Sequence, residues 1–169
     1  MEIINKVAQS GLITIDLEEY FVPGDRILFD LKEWLFEEII LKEKDFREHI
    51  QKHDWKQYEN KFVAIFCSVD AIIPTWAYML IAVNLEPFAK KISFGSLEKL
   101  EEDIFDDVIS SFNPNDFKDQ RIVIKGCSKI EVPISVYVKL TSFLRPLAKS
   151  IMYGEPCSTV PIYKKHIII

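Results

Sequence analysis

A chain of 169 residues, 49% of them hydrophobic, with a formal net charge of −5 has enough apolar content for a sizeable core, which excludes an intrinsically disordered protein. Three cysteines, Cys67, Cys127 and Cys157, are too few and too odd in number for a disulfide-stapled secreted scaffold. The longest strongly apolar run, Ala71–Val83, is too short for a bilayer and contains Pro74. The starting segment MEIINKVAQS has no apolar stretch of the kind a secretory signal needs, so the expectation is a cytoplasmic protein with reduced thiols.

In chain order, residues 12–17 (LITIDL) and 26–30 (RILFD) read as strands. Pro23-Gly24-Asp25 between them is a turn signal, so a hairpin is expected. Residues 31–53 read as a helix with a break: Leu31, Leu35, Ile39, Phe46 and Ile50 fall on one side, and Lys and Glu crowd the other. Together these form an N-terminal hairpin and helix lobe over residues 1–57.

Residues 58–95 can then be laid on residues 117–154 at a constant offset of 59 without a gap. Nine of the 38 pairs are identical, among them Pro74/Pro133, Tyr78/Tyr137, Pro87/Pro146 and Gly95/Gly154; chance gives roughly two or three. Each stretch reads as a β-α-β unit. The first has the strand Phe62–Phe66, a helix over 74–86 started by Pro74, and a strand at Ile92–Phe94 closed by Gly95. Its helix is apolar on nearly every side and is expected to be deeply buried. The second has the strand Ile122–Lys125, a helix over 133–145, and the strand Ile151–Tyr153 closed by Gly154. A helix over 97–112, capped by Ser96, occupies the linking segment 96–116. The tail, 155–169, reads as an edge strand or a docked segment. The expected fold is a single α/β domain over 1–169: a mixed, mainly parallel sheet built from the two β-α-β units, with pseudo-two-fold character and the N-terminal lobe attached.

Charge is distributed unevenly. Residues 1–60 carry a net −6, 61–95 a net +1, 96–120 a net −6 and 121–169 a net +6. The basic last third either complements the acidic parts or takes an anionic ligand or partner.

Ligands of open parallel sheets bind beyond the carboxyl ends of the strands. Cys67-Ser68 and Cys127-Ser128 both fall there, although Cys127 aligns with Ser68, one residue out of step; Cys157-Ser158 follows later. Converging thiols suit a soft metal, zinc or iron, or a sulfur-handling site. The opposing reading is three inert, buried cysteines. His49 and His53 are spaced i, i+4, so the metal candidates are Cys67, Cys127, Cys157, His49 and His53. No HExxH or CxxC pattern accompanies them, and two solvated histidines on a charged helix are the alternative. Cys67, Ser68, Asp70, Cys127 and Ser128 are the candidates for ligand or anion binding, with Asp70 read as a helix cap or a general base. There is no glycine-rich phosphate loop, nucleophile elbow or dinucleotide fingerprint. Aromatic residues do not interleave with bases, so nucleic acid is not an expected partner, and neither is a membrane.

The strings GLITIDLEEY, LKEKDFREHIQKHDW, FCSVDAIIPTWAYMLIA, VIKGCSK and SIMYGEPCSTVPIYK together resemble the Bacteroidetes family known as domain of unknown function 2480. The resemblance implies no assigned activity and no assigned functional residue. It implies a gene neighbourhood of iron–sulfur assembly and sulfur mobilisation, which adds weight to the Cys-Ser turns.

Three functions follow from these readings. The first is a metal- or sulfur-binding accessory protein of iron–sulfur assembly, using Cys127 and Cys157 with Cys67 and Asp70 nearby. The second is a non-enzymatic interaction module that docks a protein partner or a second copy. The third, ranked last, is a small cysteine-dependent enzyme with His49 or His53 as base.

Overall fold

The computed structural model describes residues 11–126, 129–155 and 158–166. The protein is mixed α/β with parallel strand pairing dominant. Its strands sort into two sheets, one of three strands and one of four, where the sequence suggested one. The chain divides into two compact units: a continuous one, Pro23–Ile104, and a split one, Met1–Val22 with Phe105–Ile169.

In the continuous unit, β2 (Arg26–Asp30), β3 (Phe62–Phe66) and β4 (Lys91–Phe94) are all parallel. The expected N-terminal hairpin does not form. Strand β1 (Leu12–Ile15) runs parallel to β5 (Arg121–Ile124) in the split unit, and β2 runs parallel to β3. The cause is local. The Asp16 carboxylate accepts the Glu18 N–H at the end of β1 and starts a 3-10 turn over Leu17–Tyr20. Asp30 accepts the Lys32 N–H at the end of β2 and starts another over Leu31–Trp34. Both strands thus lead into capped turns rather than into a reversal.

The helix expected over 31–53 is also shorter. Glu37 and Glu38 adopt φ values of 51° and 58°, and the Phe36 N–H donates to the Ile40 carbonyl. Helix α1 therefore covers only Glu43–Lys52. Leu31 and Phe46 are fully buried as expected, whereas Ile39 is exposed. Helix α2 (Thr75–Leu85) buries Ala77, Ile81 and Leu85, one stripe at i, i+4 spacing. Its opposite face is solvent-exposed, which corrects the expectation of a helix buried all round. A three-stranded sheet offers one face to a helix, and that face covers one stripe. The core joins this stripe to Phe29, Leu31, Phe46, Val63 and Ile65, each fully buried side chain contributing about 1.5–3 kcal/mol.

In the split unit, β5 pairs in parallel with β1 and with β6 (Ser150–Glu155). Tail residues form β7 (Ser158–Lys164), antiparallel to β6, so the tail is an edge strand. Helix α3 (Leu97–Ser110) begins in the continuous unit, with the Ser96 hydroxyl accepting the Lys99 N–H at 3.2 Å, the expected cap, and from Phe105 onward it belongs to the split unit. Phe105 and Ile109 of α3 join Ile122, Leu140, Leu144 and Ile151 in the core, two of these coming from helix α4 (Ile134–Leu144).

Matching elements lie 59 positions apart in the two units, α2 and α4 among them. Asn60 and Asp119 both adopt left-handed backbone, φ 60° and 58°, and their N–H groups donate to Phe88 and Leu147 carbonyls at 2.9 Å in each case. Gly95 and Gly154 have φ 124° and 123°, a region closed to most side chains. A Cβ on Gly154 would lie 2.6 Å from the Ser158 carbonyl oxygen, whereas on Gly95 the nearest atom is Lys99 Cβ at 3.4 Å. Both Gly→Ala variants are expected to lose about 1–3 kcal/mol from backbone strain, with Gly154→Ala the more damaged. Urea unfolding of the two variants checks this; equal losses would show that the β6–β7 turn yields without cost.

Candidate functional site

The carboxyl end of β3 carries Cys67 and Ser68. The Asp30 carboxylate at the end of β2 accepts the Ser68 N–H at 3.0 Å as well as the Lys32 N–H. Partial burial pushes the Asp30 carboxyl up, but hydrogen bonds from the Ser68 hydroxyl and the two N–H groups, with the Lys32 charge, outweigh it and leave its pKa lowered. Cys67 is a free, half-buried thiol that donates to the Val69 carbonyl at 3.5 Å. Helix α2 starts eight residues after Cys67 and no side chain caps it, so neither Cys67 nor Ser68 sits at a helix N-terminus, and Asp70 is not a helix cap. Cys127, Ser128 and Cys157 lie outside the described residues. Among the described residues, no three His, Cys, Asp or Glu side chains gather as a metal site.

The i, i+4 spacing of His49 and His53 does bring the imidazoles together, on the indole of Trp34. The His49 ring stacks on it at 5.4 Å and the His53 ring meets it edge-on at 5.1 Å. His53 also packs against Phe29, Trp55 and Tyr58. Its Nε2 is 2.8 Å from the Tyr58 hydroxyl and 3.3 Å from Gln57 Nε2. An amide nitrogen can only donate, so His53 Nε2 is the acceptor and the Tyr58 hydroxyl donates to it. Burial raises the Tyr58 phenol to about 12, with the Asp54 charge adding to the effect. In the split unit, the positions of His53 and Tyr58 are held by Phe112 and Phe117, in ring contact at 5.7 Å.

The outward face of α2 was missed by sequence reading. Thr75, Met79 and Val83 line it at i, i+4 spacing, with Met79 63% and Val83 68% exposed. Arg47, Trp76, Met79, Leu80 and Val83 outline a shallow groove along it, and the Arg47 guanidinium lies 5.5 Å from the Trp76 ring centre. The signal was present: an 11-residue helix without a charged residue exceeds what one sheet face can cover.

These two units, with mainly parallel sheets and a loose set of polar groups at the strand ends, define a mixed α/β protein. The chain belongs to the family described as protein of unknown function (DUF2480), whose model matches residues 1–165. No curated protein and no solved structure matches it. No helix among the described residues is long and apolar enough to cross a membrane.

Burial lowers the His53 pKa, and the His49 charge lowers it further against an opposing effect of Asp54. The folded state thus binds this proton less readily than the unfolded chain. Its contribution to stability is present above about pH 6.5 and is lost as pH falls below that value. His53→Phe, which installs the residue type of position 112, removes that dependence. At pH 7.5 the variant is expected to melt below the native protein because Tyr58 loses its partner, and the gap should narrow towards pH 5.5. Thermal melts across this range test it; a constant gap would show that His53 does not titrate with folding.

Proposed function

We propose that this protein is a non-enzymatic interaction module whose α2 face takes a second copy of the chain. One observation carries the reading: α2 presents an uncharged, apolar, exposed stripe opposite its buried one. Charge supports a self-contact. In a chain with 28% charged residues, the 11 residues of α2 carry no charge, so the helix itself brings no like charges into a contact between two copies. Such a patch is self-complementary, as a two-fold interface requires. Met79 and Val83, four apart, form the kind of ridge that packs against a second helix. A stable interface needs about 800 Å² per partner, more than one helix stripe supplies. The same unit exposes further apolar side chains at Ile40 and Ile72, bridged through their backbones.

A second reading, a metal- or sulfur-binding accessory protein, draws support from the free Cys67 thiol beside Ser68 and Asp30 at a strand end. Cys127 and Cys157, its main ligands or acceptors, lie outside the described residues. The cysteine-enzyme reading gains no comparable support, because the acceptor nitrogen of His53 is taken by Tyr58.

Sedimentation equilibrium tests the first reading. A dimer is expected for the native protein, and Met79→Lys with Val83→Lys should weaken it about 100-fold or more, since each lysine would be buried unpaired. Both positions are exposed in the single chain, so the variant should stay folded, and its melting temperature should fall only by the concentration-dependent contribution of the lost dimer. A native protein that is monomeric at tens of micromolar overturns the reading. Metal analysis of protein purified without oxygen or chelator, with a native thiol count, tests the second. Bound zinc or iron with masked thiols, or a persulfide on one of them, supports it, whereas three reactive, unmodified thiols in metal-free protein overturn it.

A further inference from the structure

A separate cluster lies at the other end of the split unit's sheet, where β5 and β6 begin and β7 ends. Arg121 is paired in register with Ser150, and Ser150 with Lys164. The Lys149 N–H donates to the Gln120 carbonyl, and the Lys149 carbonyl accepts the Lys165 N–H at 2.9 Å. The Asp119 N–H donates to Leu147. Three chain segments, 118–121, 147–150 and 164–165, therefore run side by side. Lys118, Arg121, Lys149, Lys164 and Lys165 are all exposed there. Arg145 joins them, its guanidinium 4.1 Å from the Tyr163 ring centre. Among the described residues, the acids of this end are Asp116 and Asp119. Asp119 accepts from Lys165 Nζ at 3.0 Å, and this hydrogen bond and charge, with Lys118 and Lys149 beyond, hold its carboxyl below the usual range.

The continuous unit serves as an internal control. At the positions of Lys118 and Arg145 it carries Glu59 and Glu86, 59 residues earlier, at the ends of the matching elements. Strand β7, which brings Lys164 and Lys165, has no partner of its kind in the continuous unit's three-stranded sheet. The same local backbone thus forms with acids at these two places, and folding does not demand a cation at 118 or 145, although Lys149 does have a cationic counterpart in Lys90. Stabilisation of the α4 C-terminus explains a cation at Arg145, but α2 ends equally well at Glu86.

We infer that this cationic end of the split unit's sheet is a docking surface for an acidic segment of a protein partner. Carboxylates complement a surface that gathers six cations against, among the described residues, Asp116 and Asp119. Exposed Ile162, two residues from Lys164, suits a segment that mixes acidic with apolar residues. Nucleic acid fits less well. Tyr163 is covered by Arg145, which takes away the aromatic platform that stacks bases. The net charge of −5 weakens long-range attraction to any anionic partner, so recognition rests on the local complementarity of this end. Pro161 in β7 has no N–H to offer an added strand, so the partner binds through side chains.

The inference is independent of the α2 contact and is tested separately. The probe is a fluorescein-labelled 12-residue peptide of glutamates interrupted by two leucines, followed by anisotropy at about 50 mM salt. Binding to the native protein is expected, weakening steeply with added salt. Lys118→Glu with Arg145→Glu should weaken it about tenfold or more, the scale of two exposed ion pairs lost and reversed. The melting temperature should stay within a few degrees, as the continuous unit accepts glutamate at both places. Lys56→Glu, on the continuous unit, is the control and should bind as the native protein does. Absence of binding, an equal loss with Lys56→Glu, or tighter binding to single-stranded DNA or to phosphatidylserine vesicles than to the peptide overturns the inference.

Discussion

Parallel strand pairing governs the rest of this structure. Two parallel neighbours cannot be joined by a tight turn, so each pair requires a crossover. In the continuous unit, α1 and its flanking turns carry the chain from β2 to β3, and α2 carries it from β3 to β4. In the split unit, α4 makes the crossover from β5 to β6. The middle strands pay for this with burial: Val63 and Ala64 of β3, and Ile122 and Val123 of β5, have almost no exposure. Apolar runs such as FVAIF are the form that requirement takes in sequence. The helices are then amphipathic only as far as one sheet face demands.

Two aspartates set the direction of the chain at the strand ends. Asp16 and Asp30 each cap a 3-10 turn directly after a strand, and each has a second partner. Asp30 receives the Ser68 N–H at the end of β3, and Asp16 receives Lys125 Nζ at 2.9 Å at the end of β5. The carboxyl edge of each sheet is thereby fastened by a short carboxylate bridge between parallel neighbours. At the continuous unit's edge this leaves a half-buried thiol among satisfied polar groups. Its exposed apolar helix and the cationic opposite end of the split unit's sheet are less satisfied by the fold itself, and they are where binding is to be sought.

Divergence between matching positions is the most useful guide to function. Phe46 and Phe105 are both fully buried and 59 apart, a pair the fold requires in both units. His53 and Tyr58 replace the phenylalanines of 112 and 117 with a hydrogen-bonded pair, at no evident gain in packing. Glu59 and Glu86 give way to Lys118 and Arg145. Positions that agree report on packing, and positions that differ on the same backbone are free to report on something else.

Much was legible in the sequence. The β-α-β order, the prolines at the helix starts, the Ser96 cap and the mixed α/β class follow from local periodicity and turn chemistry, which act over a few residues. A second signal went unread: Phe29-Asp30-Leu31-Lys32-Glu33-Trp34 echoes Ile15-Asp16-Leu17-Glu18-Glu19-Tyr20, and it marks β1 and β2 as strands with the same role in different sheets. Partner choice between strands was beyond local reading, since Pro23-Gly24-Asp25 suits a hairpin as well as a passage between units. The same limit applies to α2. Composition announced an apolar helix, but only the sheet it packs on decided which stripe is covered. The sequence by itself determined the elements and their chemistry, because those depend on neighbours along the chain. Tertiary structure alone decided the two sheets, the exposed face of α2 and the gathering of cations from three segments, because burial and juxtaposition depend on residues distant in sequence.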